Sequence, residues 1–249
     1  PWFIQDEPRF PHRGMLVDTS RHFLSVPTIK QIIDSLTFAK FNVMHWHIVD
    51  AEAFPFDSKT FPRFGKFTAF SQRERFTTGD VQEVVEYARQ RGVRVMIELD
   101  TPGHSASMCN AYPEICPSPG CPSKNVNNWA LDITKNETYT VIEGLWKEFG
   151  SLFFENLVHI GGDEVDYYCW SLHEPIVQWL KAHNLDMNGG FEYYVNKIQS
   201  YIWDKMQDRQ VVAWNEIWTH FGPKLNPKTI VQLWKSHDTN VVQNITSHG

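Results

Sequence analysis

No stretch of about 18 or more apolar residues occurs, so the sequence offers no membrane-spanning helix. It contains no Cys-x-x-Cys pair, which argues against a zinc site built on cysteine. A Gly-rich dinucleotide turn is missing too, as are internal repeats and low-complexity segments. Net charge is a mild −6, with no basic surplus to hold nucleic acid or an anionic membrane. Neither a signal peptide nor an initiator Met is present. The chain opens on Pro1-Trp2-Phe3, so it is expected to begin inside a longer protein, and the missing signal says little about compartment.

What is there suits one large folded unit. Hydrophobic residues make up 42% of 249, enough for a sizeable core and against disorder. Ten Trp are an unusual load. About half are expected as core packing, and the rest could stack on the flat faces of a sugar. Cys109, Cys116, Cys121 and Cys169 are even in number, and Asn136 and Asn244 head two Asn-x-Thr sequons. Together these favour an oxidising setting, either lysosomal or secreted.

Apolar strands alternate with amphipathic helices. Strands are predicted over 15–18 (short and buried), 42–50, 93–99, 157–160, 211–214 and 230–234. Helical stripes run through Ile29, Ile32, Ile33 and Leu36, then Val81, Val84, Val85 and Ala88, and later Phe191, Tyr194, Val195 and Ile198. Asp80 with Glu83 is read as a capping pair, and Thr134-x-x-Glu137 as a capping box before a further helix. The run 113–123, rich in Pro, Ser, Gly and Cys, reads as a loop. This alternation implies parallel βα units. The predicted fold is therefore α/β: a (β/α)8 barrel truncated after about six strands, because the chain stops at Gly249 where a seventh unit would begin.

Polar residues fall where strands end: Asp18 and Arg21, Asp50, Asp100 and His104, Asp163 and Glu164, Trp214 and Glu216, and Trp234. In such a barrel that face carries the active site. Asp163 and Glu164 follow Gly161-Gly162, which permits a tight turn or a close approach. Adjacent carboxyls repel, so one pKa is expected to rise, as a general acid requires. Neighbours at one strand end share one side of a site. The place of a nucleophile across the sugar is then empty, and a 2-acetamido group on the substrate could fill it.

The segments from Pro11 to His22, His45 to Asp50, Asp100 to His104 and His159 to Asp166 resemble those of glycoside hydrolase family 20, whose main members are β-N-acetylhexosaminidases. The likeness runs over nearly the whole chain. It implies a retaining exo-enzyme that removes terminal β-linked N-acetylglucosamine or N-acetylgalactosamine through an oxazolinium. Glu164 would be the acid/base, and Asp163 would steer the acetamide. Arg21, Asp50 and His104 would hold the sugar or support the site, and Trp214 and Trp234 would wall the acetamide pocket. Cys121 with Cys169 resembles a family disulfide, and Cys109 with Cys116 is a candidate second pair. The resemblance implies no metal and no other cofactor. The partners it implies are glycoprotein, glycolipid or chitin glycans, and members often form homodimers at full length. A preceding small α/β domain and the last barrel strands of the family are expected to lie outside these residues.

Two other readings compete. His45 and His47, on one strand face, could bind metal with Asp100, His104, Asp163 and Glu164, as in barrel metallohydrolases. Alternatively, the barrel could be a glycan-binding protein that has lost catalysis. The presence of both Asp163 and Glu164 argues against the second reading.

Overall fold

The computed structural model describes every residue except Pro119, 236–238 and Gly249. Six parallel strands pair in sequence order: β1 (Gly14–Asp18), β2 (Val43–His47), β3 (Arg94–Glu98), β4 (Leu157–His159), β5 (Gln210–Trp214) and β6 (Ile230–Gln232). Between β1 and β2 lies α1 (Val26–Phe38), and between β2 and β3 lie α2 (Arg63–Thr68) and α3 (Thr78–Arg89). The β3–β4 connection carries α4 (Ala106–Ala111) and α5 (Asn136–Leu152). After β4 come α6 (Tyr168–Leu172), α7 (Glu174–Ala182) and α8 (Met187–Lys205), then α9 (Glu216–Phe221) after β5 and α10 (Thr239–Thr246) after β6. Strand order that follows chain order, with helices between, is the arc of a (β/α)8 barrel. No described helix is long and apolar enough to cross a membrane.

The predicted helical stripes are the buried faces. Ile29, Ile33 and Leu36 of α1 pack with Val81, Val84 and Ala88 of α3 in one core under the sheet. Burying each such aliphatic side chain contributes about 1.5–3 kcal/mol. Trp46, Trp146 and Trp170 are fully buried in that layer, so part of the tryptophan load is packing. Val43, Met96 and Val212 form a separate small core on the other face of the strands.

Three local expectations need correction. The cap of α3 lies one turn earlier than Asp80–Glu83. Thr77 is the N-cap, its hydroxyl accepts from Asp80 N (3.1 Å), and Asp80 accepts in return from Thr77 N (2.8 Å). Glu83 instead pairs with Lys30 of α1. Before α5 there is no side-chain cap, because the Thr134 hydroxyl donates to Asp132 (2.7 Å). Finally, β1 is not a buried strand: Met15 and Leu16 are exposed, because β1 has a strand neighbour on one side only. In the loop 113–123, Pro113–Ile115 forms a 3-10 turn, and Pro119 lies outside the described residues.

Strand register places the site. Asp18, His47, Glu98, His159 and Val212 are successive Cα partners across β1 to β5. Paired residues of parallel strands point to the same face, so four polar residues form one row near the carboxyl ends of the strands. At the opposite ends lies a cavity of about 770 Å³, whose lining includes Leu16, Met96, Val212 and Val231.

Candidate active site

The strand ends bring Arg21, Asp50, His104, Asp163 and Glu164 together. Arg21 sits in the turn after β1, where Asp18 Oδ1 accepts from Ser20 N (2.9 Å) and Arg21 N (3.0 Å). Its guanidinium pairs with Asp18 (2.8 Å) and Asp50 (2.8 Å). Asp50 is buried and fully engaged. It meets His47 Nε2 at 2.6 Å and His104 Nδ1 at 3.0 Å. Burial alone would raise the Asp50 pKa, but the two imidazoles hold it well below the usual carboxylate range. Burial likewise opposes charge on His104, and the Asp50 carboxylate overrides it and raises the imidazole. From His104, Nε2 lies 3.7 Å from Asp163 and 3.5 Å from Glu164.

Under this cluster lies a carboxylate absent from the candidate residues of the sequence reading. Glu98 is wholly buried, within 2.7 Å of both His45 Nε2 and His47 Nδ1 and 3.3 Å from His159 Nδ1. Trp214 Nε1 donates to Glu98 Oε1 at 2.8 Å. Burial disfavours charge on Glu98, yet the imidazoles keep its pKa well below normal. Burial also opposes charge on His47, but Glu98 and Asp50, one on each ring nitrogen, push it up to about 10. His159 goes the other way, down to about 4, because burial dominates. A neutral ring fits its Nδ1 accepting from Gly161 N (3.1 Å). One signal for Glu98 existed in the sequence: an ionisable residue at the end of an apolar run.

Gly161 and Gly162 both adopt positive φ (70° and 90°). A Cβ on Gly161 would overlap the Asp100 carboxyl, which accepts from Gly162 N at 2.9 Å. The close approach sets Asp100 beside Asp163. Burial, then the neighbouring carboxylates, drive Asp100 well above its usual pKa. Burial raises Asp163 as well, against the pull of His104. Glu164 differs. It has φ 48°, its side chain is 40% exposed against 13% for Asp163, and Lys235 Nζ sits 2.7 Å from Oε1. That ammonium holds the Glu164 pKa below normal. The repelling-pair argument thus finds its raised carboxyl in Asp163, with Asp100 behind it, and not in Glu164. Lys235 had no signal in the sequence beyond following Trp234.

The two tryptophans are brought together. Trp214 is buried and lies 6.0 Å from Trp234, ring to ring, with a tilt of 57°. Trp234 is half exposed and donates through Nε1 to Glu216 (3.0 Å), which also meets Lys235 (3.1 Å).

Three buried groups bring possible metal-ligand atoms within 4.8 Å of one another among the described residues: His45–Glu98–His159, His47–Asp50–Asp100 and Asp100–His104–Asp163. In each, members are already committed to the ion pairs and hydrogen bonds above. The cysteines pair as Cys109–Cys116 and Cys121–Cys169. Asn136 and Asn244 are exposed, at the first residue of α5 and on α10.

Comparison with known proteins gives the same address. The family model described as "Glycosyl hydrolase family 20, catalytic domain" matches residues 10–249. Beta-hexosaminidase 3 of Arabidopsis thaliana is 41% identical over 249 residues, covering 100% of this chain and 44% of the relative. Beta-hexosaminidase subunit A1 of Dictyostelium discoideum is 42% identical over 235 residues, covering 94% of this chain and 43% of the relative. The chain therefore spans less than half the length of these relatives. Among solved structures, a chitobiase of Flavobacterium johnsoniae superposes with a TM-score of 0.82 at 31% identity, covering 92% of this chain and 34% of that one. With the family model matching all but the first nine residues, this chain belongs to glycosyl hydrolase family 20.

Proposed function

We propose that this chain carries the acid/base side of a retaining exo-β-N-acetylhexosaminidase acting on terminal β-linked N-acetylglucosamine or N-acetylgalactosamine. One observation carries the reading: two adjacent carboxyls in opposite environments. Asp163 is buried beside the Asp100 carboxyl, whereas Glu164 faces solvent beside a cation. Exposure assigns the roles: Glu164 is open to a leaving group and to water, whereas Asp163 is buried. Glu164 protonates the glycosidic oxygen while the substrate's acetamide oxygen attacks the anomeric carbon, and the aglycone departs as an alcohol. Asp163 accepts the acetamide N–H and stabilises the positive charge of the oxazolinium. Glu164 then takes a proton from water, which opens the ring with net retention. Trp214 and Trp234 wall the acetamide and keep it aimed. Arg21, set by Asp18 and Asp50, offers guanidinium donors to sugar hydroxyls.

Lys235 holds the Glu164 pKa down, so the protonated acid is most abundant at acidic pH. That suits a lysosomal or secretory lumen, as do two disulfides and two exposed sequons. An activity optimum above pH 8 would count against this setting.

The test uses the protein at its natural full length on two aryl glycosides, a β-N-acetylglucosaminide and a plain β-glucoside. Cleavage of the acetamido sugar alone is expected. Glu164→Gln should lower its kcat by about 10²–10⁴ and Asp163→Asn by about 10²–10³. Equal cleavage of both sugars would mean a protein nucleophile and would sink the substrate-assisted reading. Binding of N-acetylglucosamine without cleavage would instead make the barrel a lectin.

A further inference from the structure

We propose that Glu98, with the rings of His45 and His159 beside it, fixes the angle of the Trp214 indole and so decides which N-acyl group the enzyme accepts. All three are positioning residues that act through Trp214. This rests on the reading of Trp214 as a wall of the acetamide pocket. The second torsion of a tryptophan side chain is broad and roughly two-fold, so its rotamer alone leaves the ring angle loose. Contacts must set it. The indole has a single donor, Nε1–H, so a single acceptor can choose the ring's edge. That acceptor is Glu98 Oε1, at 2.8 Å, on a side chain with no exposure of its own. Trp214 N also donates to Gly161 O (3.0 Å), which holds the backbone that carries the ring.

Strand alternation puts the set in place. Glu98 and His159 are Cα partners on β3 and β4, and His159 pairs with Val212 on β5. Residues two apart on a strand share a face, so Trp214 stands one step above Val212 and His45 one step below His47. The three rings then pack as a unit. His159 lies 4.5 Å from Trp214, centroid to centroid, and His45 lies 5.6 Å from it. The two imidazoles are 4.6 Å apart and tilted by 34°. Glu98 ties them together: Oε2 sits 2.7 Å from His45 Nε2, and Oε1 sits 3.3 Å from His159 Nδ1. All four side chains are buried, and in a close-packed interior none can turn without displacing the others.

The opposite wall lacks this support. Trp234 is half exposed and held by Glu216 (3.0 Å), which it shares with Lys235. Of the two walls, the firm one sets how long an acyl chain fits. One methylene in a tight apolar pocket is worth about 10- to 200-fold in kcat/KM. That discrimination needs a wall that does not retreat. Removing its hydrogen bond or its backing ring lets the indole tilt away and admits the longer chain.

The experiment uses the full-length protein and two aryl β-glucosaminides, one N-acetyl and one N-propionyl. The readout is the ratio of their kcat/KM values, which the wild type should hold at about 10- to 200-fold in favour of the acetyl group. Glu98→Leu removes the acceptor at similar volume and should cut the ratio about 3- to 10-fold, the value of one hydrogen bond. Glu98→Gln keeps an acceptor for Nε1 and should hold the ratio within about twofold. His159→Gln takes away the backing ring, keeps a neutral acceptor for Gly161 N, and should cut the ratio about 2- to 10-fold. It carries the test alone if Glu98→Leu does not fold. A merely structural role would lower both kcat/KM values, or stability only, and leave the ratio unmoved, which would overturn the proposal. An equal fall of the ratio in Glu98→Gln and Glu98→Leu would assign the effect to the carboxylate's charge and overturn it too. A wild type that cleaves both substrates alike would show that no wall reads the acyl length, and the proposal alone would fall. One that cleaves neither would sink the function reading itself.

Discussion

The site has two halves that are held in different ways. The half built on β1 to β4 is dry and interlocked. Each charged group there has a partner at its own strand end or on the neighbouring strand: Arg21 on Asp18 and Asp50, His47 between Asp50 and Glu98, and Asp100 beside Asp163. The half built on β5 and β6 is wetter at its edge. Trp234 is 45% exposed, and Glu216, the first residue of α9, holds both it and Lys235. Register explains the contrast. Four successive strands place polar residues in one row, whereas the same row passes to Val212 on β5 and Ile230 on β6. Charges in the first half survive because each is paired, and breaking one pair strands the others.

The comparison breaks hardest at Glu98. Glu98→Ala would leave His45, His47 and Trp214 without their shared carboxylate. The expected loss is about 3–5 kcal/mol, read from urea unfolding of the full-length protein. Glu98→Gln keeps an acceptor for Trp214 and should lose less. A loss below about 1 kcal/mol for the alanine variant would mean that the row is not coupled, and that the two halves are held alike.

Gly161→Ala tests the hinge of the dry half. The new methyl would overlap Asp100 and sit at a φ of 70°. Backbone strain and overpacking together should cost about 2–4 kcal/mol. Because Asp100 must shift to make room, kcat should fall more than the aryl glycoside's KM rises. Unchanged kcat in a destabilised variant would separate Asp100 from the positioning of Asp163.

Much of this was legible in sequence because it is periodic or local. The stripe of α1, the apolar run of β3 and the polar strand ends need no tertiary information. The partners that set electrostatics did need it. Glu98 reads as one residue of Arg94-Val-Met-Ile-Glu98 until register puts it between His47 and His159. Asp163 and Glu164 invite a simple repulsion argument, which names a raised pKa without saying whose. Burial beside Asp100 assigns it to Asp163, and Lys235, 71 residues on, pulls Glu164 the other way. The caps of α3 and α5 are a different matter, because their partners are local. Thr77 and Thr134 look alike in sequence, but Asp132 captures the second.

Lys235 gives the smallest effect and sharpens the comparison most. If the wetter half tunes the acid, Lys235→Met should raise the Glu164 pKa in the free enzyme. Catalysis needs Glu164 protonated, so activity is lost as pH rises through that pKa, and the alkaline limb of kcat/KM should move upward. Both side chains are more than a third exposed, so the pair is worth less than about 1 kcal/mol and the move should be about half a pH unit. High salt should produce part of the same shift in the wild type and little in the variant. A limb that stays put in Lys235→Met would assign it to another group, with His104 and Asp163 in the dry half as the nearest candidates, and the acid would then be tuned from the same side that holds the sugar.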